Sequence, residues 1–247
     1  MTTLLLVAVA GVVAGGLNSA AGGGTLVVYP ALLLAGLNPA AANMTSLIGL
    51  TPGYLTGAAA YRNELRLQRH NFVRLAPAAI IGGLTGGLLL RTTPSDVFER
   101  IVPYLVIFST LLLYVQPYLT KKLRKSPNLS WGKFAQVSSF VAGVYGVYFS
   151  AGLGVLLLAL LGLSIVADLQ LLNGLKAGLS VLVIAAGVIV YGASPDITWS
   201  IVATLIPASA IGGLFGGGLA RRLSAATLRR AICVLGVVLT AALFVVR

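Results

Sequence analysis

Two short stretches and one lysine carry most of the chemistry available to this chain. "NSAAGGGT" spans Asn18–Thr25 and "YFSAGLGV" spans Tyr148–Val155, each between apolar segments. Lys176 sits in "LLNGLKAGLS", eight residues past Asp168, or about 12 Å into an apolar segment if that segment is helical. A charge inside a bilayer costs about 2.5–3.5 kcal/mol on insertion scales and marks a functional site by default. The competing reading is a lysine that snorkels its ammonium to the interface. In the two stretches, glycines let the backbone approach a ligand closely. A helix starting just after each one, near Thr25 and near Val155, presents unpaired amides and the positive end of its dipole. Two such helix starts facing each other would make an anion site. Asn18, Ser19, Thr25 and Ser150 could add neutral hydrogen bonds. The competing reading is that the glycines of these stretches serve only close helix packing.

The rest of the inventory removes other chemistries. The chain has one histidine, one cysteine and five carboxylates, and these are scattered. No metal-ligand cluster, no cofactor motif and no paired nucleophile and base is visible. His70 lies in a basic loop, and Cys233 lies in an apolar run where it reads as a packing residue. The net charge of +12 does not indicate nucleic acid, because the basic residues sit in short loops between apolar segments, where they set orientation.

The elements that must position these groups are membrane helices. Of the 247 residues, 58% are hydrophobic and 9% charged, against about 25% charged in a soluble domain. Uncharged runs such as 1–61 and 134–167 exceed the roughly 20 apolar residues a spanning helix needs. The bilayer is thus an implied partner. Met1–Leu17 lacks a basic leader and reads as a retained segment.

The chain also repeats itself. With a shift of 130, Ile80–Arg91 and Ala210–Arg221 agree at eight of twelve positions. Pro77 falls on Pro207, Asn43 on Asn173, Tyr61 on Tyr191 and Arg100 on Arg230; Gly16, Gly22 and Gly24 fall on Gly146, Gly152 and Gly154. Apolar composition alone does not keep Pro, Asn, Tyr and Arg in register, so this is an internal duplication. The first unit, 1–120, has apolar segments near 3–17, 25–37, 40–60, 72–90 and 100–119. A basic linker follows at 121–133. The second unit, 134–247, continues a segment that begins near 131 and runs to 150, then has segments near 155–167, 168–191, 199–219 and 226–246.

Loop charge orients them. The loops at 62–74 (Arg62, Arg66, Arg69, Arg74), 121–133 and 221–230 read as cytoplasmic, which places both termini outside. Repeat-equivalent loops then fall on opposite sides, so the two units are inverted. Inverted repeats are the signature of secondary transporters. The expected fold is an all-α polytopic membrane protein of two inverted-topology repeats, each a short Gly-tipped helix hairpin followed by three transmembrane helices. The segments 3–17 and 25–37 are too short to span comfortably, so hairpins that re-enter are expected, the alternative being full crossing, since 130–150 is long enough to span if 155–167 also does. "GGLTGG" and "GGLFGGG" lie within full-length segments and read as close helix packing. Tyr61, Trp131, Tyr191 and Trp199 fall at segment ends and read as interfacial anchors. Ser46 is the repeat partner of Lys176, and Asn173 joins the candidate set as the partner of Asn43.

Gly11–Gly49, "GVVAGGLNSAAGGGTLVVYPALLLAGLNPAAANMTSLIG", resembles the N-terminal motif of the TauE/SafE family of membrane permeases, and 143–176 is similar to that family's second repeat. The resemblance implies movement of sulfite, sulfonates or related small sulfur-containing anions across a bacterial inner membrane, with export the favoured direction. By position it places Asn18, Gly22, Gly23, Gly24, Thr45 and Ser46 in the first-repeat site and Lys176 at the second repeat's lysine. Gly152 and Gly154 complete the second tip. Where the family often has Asn-Lys after the threonine, this chain has Ser46-Leu47, so the first unit lacks that lysine. The implied partner is a small anion, with no cofactor. Proton coupling through the substrate's own protonation and uniport both stay open, as does homo-oligomerisation through small-residue faces. The alternatives are a permease or channel for another small anion or organic acid, and a membrane-embedded enzyme.

Overall fold

The computed structural model describes residues 2–20, 23–123, 132–165 and 167–220, together with positions 230, 233–234, 236–238 and 240–241. Among these residues every regular element is a helix. In order they are α1 (Thr2–Ala20), α2 (Thr25–Leu34), α3 (Pro39–Gly49), α4 (Thr51–Ala60), α5 (Arg62–Leu67), α6 (Arg69–Thr92), α7 (Ser95–Leu123), α8 (Gly132–Tyr148), α9 (Leu153–Ser164), α10 (Leu169–Tyr191) and α11 (Trp199–Ala220). Of the linker, 124–131 lie outside the described residues, as do Trp131 and the basic stretch 221–229.

Local chemistry sets the breaks. Asn38 caps α3, its Oδ1 accepting from Ala41 N at 2.8 Å, and Pro39 takes the first helical position, where its missing N–H costs nothing. The expected segment 40–60 is in fact two helices. Pro52 has no N–H to continue the ladder, and the chain turns at Leu50 between α3 and α4. In the second unit Val181 and Leu182 hold the positions of Thr51 and Pro52, and α10 runs unbroken through them.

Two further expectations are corrected. The basic stretch 62–74 is helical, not an open loop: α5 occupies most of its first half and α6 has already begun at Arg69. α5 lies on α10, with Glu64 and Leu65 seated against Gly174, and Leu65 also against Gly178. The glycines allow this contact. A Cβ at Gly174 would stand 2.7 Å from Glu64 Cβ, and one at Gly178 would stand 2.8 Å from Leu65 Cδ1. Tyr191 is no surface anchor. It is fully buried and donates its hydroxyl to Val147 O at 2.8 Å. Trp199, by contrast, is exposed at the start of α11.

Among the described residues, three helices are long and apolar enough to cross a membrane, over 69–92, 95–115 and 169–191. The hairpins are lopsided. α1, with 19 residues, is about 28 Å long, and α8, with 17, about 26 Å. α2 and α9, with 10 and 12, are only about 15 and 18 Å. The returning arms thus fall furthest short of a core of about 30 Å. Leu5 and Val9 of α1, Ile81 and Leu88 of α6, Leu111 of α7 and Phe215 of α11 are among the large apolar side chains left exposed. Such an apolar exterior suits lipid rather than water.

The glycine motifs do what close packing requires. α1 packs along α11, and α6 packs along α8. A Cβ at Gly82 or Gly86 would overlap the carbonyls of Phe140 and Val144 in α8, and one at Gly212 would overlap that of Val12 in α1. The contacts recur with the partners exchanged. Gly15 lies against Ser209 and Gly213, and Gly143 lies against Ala79 and Gly83. Here Ala79 and Gly83 match Ser209 and Gly213 at a shift of 130, but Gly15 and Gly143 match at 128. The same shift of 128 relates the starts of α2 and α9, whereas the helix-capping residues Asn38 and Asp168 are again 130 apart. The ungapped alignment is thus corrected at the tips: Gly24 corresponds to Gly152, not to Gly154.

Candidate functional site

The two Gly-rich tips meet in the interior. Ser150 Oγ lies 3.5 Å from Thr25 Oγ1, joining the connection between α8 and α9 to the first residue of α2. Both side chains are buried, as are Asn18, Asn43 and Tyr54. The helices begin where the sequence placed them: α2 at Thr25, and α9 at Leu153, two residues before Val155.

The second tip is held on all sides. Asn43 of α3 reaches across to it with both ends of its amide. Nδ2 donates to Val147 O and Tyr148 O at 3.4 and 3.1 Å, while Oδ1 accepts from Ser150 N and Ser150 Oγ at 3.3 and 3.4 Å. From other directions, Ser109 Oγ and Tyr145 OH reach Ala151 O at 3.0 and 2.8 Å and also bond to each other. Phe149 packs edge-on against Tyr29. Gly152 caps α9 with φ +83°, a left-handed conformation that a side chain disfavours by about 1–2 kcal/mol. Ala151 O, occupied by the two hydroxyls, does not serve α9. Among the described residues no backbone acceptor is found for the amides of Gly154 and Val155.

At the first tip the described residues show one side-chain bond and a donor left over. Asn18 Oδ1 accepts from Gly24 N at 2.8 Å. Its Nδ2, also buried, has no partner among the described residues. Gly24 sits so close to α1 that a Cβ would overlap the carbonyl of Ala14. Tyr54 of α4 approaches the same place from the other side. Its buried hydroxyl lies beside Thr25 without a hydrogen bond of good geometry. Buried polar groups are normally paired, so two unpaired donors flanking Gly24–Thr25 stand out.

The remaining expected site residues are more dispersed. Thr45 Oγ1 accepts from Thr198 N at 3.3 Å, tying α3 to the start of α11, and Ser46 Oγ donates back to Asn43 O at 2.9 Å. Among the described residues no hydrogen bond joins either side chain to the tips. Lys176 is buried, 4% exposed, within α10, and it makes no hydrogen bond or ion pair among the described residues. Asn173 is half-buried one turn earlier. Neither is hydrogen-bonded to a tip. Gly154 is the second residue of α9 and Gly23 leads into α2. Ser19 belongs to α1, but its side chain and the whole of Gly22 lie outside the described residues. No group of His, Cys, Asp and Glu able to hold a metal exists among the described residues.

Two residues central to this arrangement were not singled out as site residues from sequence. Asn43 left a trace, as an amide in an apolar stretch that recurs at Asn173. Tyr54 left none, since a tyrosine in an apolar segment reads as ordinary packing.

The family model for the sulfite exporter TauE/SafE matches residues 7–243, and the chain belongs to that family. Among curated proteins it is similar to a "Probable membrane transporter protein" of Haemophilus influenzae, at 28% identity over 58% of this chain and 56% of that one. It is likewise similar to the "Probable membrane transporter protein YfcA" of Escherichia coli, at 28% over 57% and 52%. A third relative is the "Probable membrane transporter protein ORF9" of Sinorhizobium sp, at 32% over 56% and 54%. These matches cover about half the length of the curated relatives. No solved structure matches the chain.

Proposed function

We propose that this TauE/SafE family member is a secondary transporter that moves a small sulfur-containing anion, such as sulfite or an organosulfonate, outward across the bacterial inner membrane. The observation that carries the reading is the meeting of two Gly-rich tips at Thr25 and Ser150, 3.5 Å apart and buried, each at the start of a helix. Helix starts offer amide donors and a positive dipole end, here in surroundings with no carboxylate among the buried residues. Because the site is closed to solvent, a substrate reaches it only after a movement of the protein.

The exchange of partners between helix pairs indicates how that movement is built. α1 with α11 and α6 with α8 use equivalent glycines against equivalent neighbours. Each pair joins one helix from each unit. Inverted units that rock about such seams would open the tips first to one side and then to the other. Lys176 supplies positive potential from α10 without fastening either tip. Asn173, Thr45 and Ser46 belong to the walls that move rather than to the anion's immediate contacts.

The test is flux into and out of liposomes carrying the purified protein. Sulfite and taurine flux should saturate and should be stimulated by counter-substrate, which separates a carrier from a channel. Lys176→Ala should lose most of that flux and remain folded. Linear, unstimulated flux, or an unaltered Lys176→Ala variant, would overturn the carrier mechanism or the role of the lysine respectively.

A further inference from the structure

We infer that the cavity where α6, α8 and α9 end together is a lipid site, holding the phosphate of an anionic phospholipid such as phosphatidylglycerol on the Arg74 guanidinium. This needs only that the chain lies in a membrane, and it is independent of what the Gly-rich tips bind.

Three helix ends meet at the cavity. α6 has just begun at Arg69, α8 begins at Gly132 and α9 ends at Ser164. Loop charge places this end on the cytoplasmic side. The cavity has a volume of about 390 Å³, and its walls include Asn71 and Arg74 of α6, Gly132 and Ala135 of α8, and Ser164 and Ile165 at the end of α9. That volume is within the range of small-ligand sites.

Arg74 supplies the charge. It is exposed, and among the described residues it makes no hydrogen bond or ion pair. Its guanidinium lies over Gly132, where a Cβ would overlap it. The start of α8 carries the positive end of a helix dipole, so an arginine placed there adds positive charge to positive potential. No carboxylate lines the cavity to balance it. An oxyanion between the two would, and guanidinium geometry suits a phosphate bidentately. The neutral groups add little competition. Ser164 Oγ already donates to Leu160 O at 2.6 Å, and Asn71 Nδ2 donates to Gln68 Oε1 at 2.7 Å. An amide nitrogen has a second hydrogen to give.

The rim selects a lipid over a soluble anion. Val73, Phe134 and Leu163 each adjoin a lining residue in sequence, and all three are exposed. A cation inside an apolar rim at a membrane end matches a headgroup phosphate with acyl chains beside it. A soluble anion would use the guanidinium and leave the rim bare. A zwitterionic headgroup would bring an ammonium to a wall with no carboxylate. The other helix pair lacks the site. At the shifts that relate α8 to α1 and α6 to α11, Gly132 corresponds to Leu4, Asn71 to Ile201 and Arg74 to Thr204. The cation, the amide and the glycine are all replaced there.

The test is native mass spectrometry of the detergent-purified full chain titrated with phosphatidylglycerol or phosphatidylethanolamine of the same acyl chains. The lipid-free melting temperature is recorded for each variant. Wild-type protein should bind phosphatidylglycerol more tightly. Arg74→Gln should weaken that lipid about five- to tenfold, as expected for one arginine at a lipid surface, and leave phosphatidylethanolamine unchanged. Arg66→Gln removes the same charge from exposed α5 and should change neither. If Arg74→Gln does not fold, Gly132→Leu, which copies the residue of the other pair into the cavity, should show the same selective loss. Equal affinity for the two lipids, or an unaltered preference in Arg74→Gln, would overturn the site. An equal loss in Arg66→Gln would reduce it to net charge and overturn it as well. Displacement of phosphatidylglycerol by excess inorganic phosphate would overturn the lipid and assign the cavity to a soluble anion.

Discussion

The two tips are equivalents in sequence and opposites in hydrogen bonding. The second is cross-linked to α3, α7 and α8 through Asn43, Ser109 and Tyr145, and Gly152 accepts the left-handed turn that starts α9. Among the described residues of the first, one side-chain bond is found, from Gly24 to Asn18, and Gly24 is right-handed. A duplicated element can thus divide its labour. The second copy carries the cross-links, and among the described residues unpaired donors stand at both: the Asn18 amide at the first, the Gly154 and Val155 amides at the second.

Substitutions can break or sharpen this contrast. The largest effect should come from Asn43→Ala. It strips the partners from Ser150 N and Tyr148 O, while Val147 O keeps the Tyr191 hydroxyl, and at about 1–3 kcal/mol for each orphaned group it should cost about 2 kcal/mol or more. Thermal unfolding in detergent measures this, and flux should vanish with the fold. Asn18→Ala removes one bond only. It should cost about 1–2 kcal/mol of stability while weakening anion binding more than Asn43 variants that still fold. A loss of stability as large as that of Asn43→Ala would erase the distinction between the tips. Gly152→Ala should cost about 1–2 kcal/mol from the positive φ, with unchanged anion affinity. Smallest, and of opposite sign, is Lys176→Met. Removing a buried charge that has no ion pair among the described residues should leave stability equal or slightly raised, while transport falls. A marked drop in melting temperature would mean that the lysine is a structural strut.

Much of the fold was legible because its signals are local. Apolar runs, the Asn38–Pro39 start and the glycine-rich stretches each reflect what a few adjacent residues can do. The expected helix starts near Thr25 and Val155 fell within two residues of those observed. Close packing at Gly82–Gly87 and at Gly212–Gly213 followed from the same reasoning. The stretch 62–74 was misjudged because its arginines mark a membrane side but do not forbid a helix. Tyr191 was misjudged because a tyrosine at a helix end reads the same whether it meets lipid headgroups or, as here, a carbonyl on α8. The tips slipped by two residues because an ungapped shift has no way to register the longer α9, 12 residues against 10 in α2.

The sequence by itself therefore determined the class of molecule, the two glycine-rich stretches and the presence of one lysine deep in an apolar helix. These follow from composition and from periodicities short enough to lie on one element. Only the tertiary structure decided which groups cross-link the second tip. That outcome depends on Asn43 meeting Ser150, 107 positions away, and on Ser109 and Tyr145 closing on Ala151 O. Hydrogen-bond partners at such separations are set by how whole helices dock, and no local pattern records them.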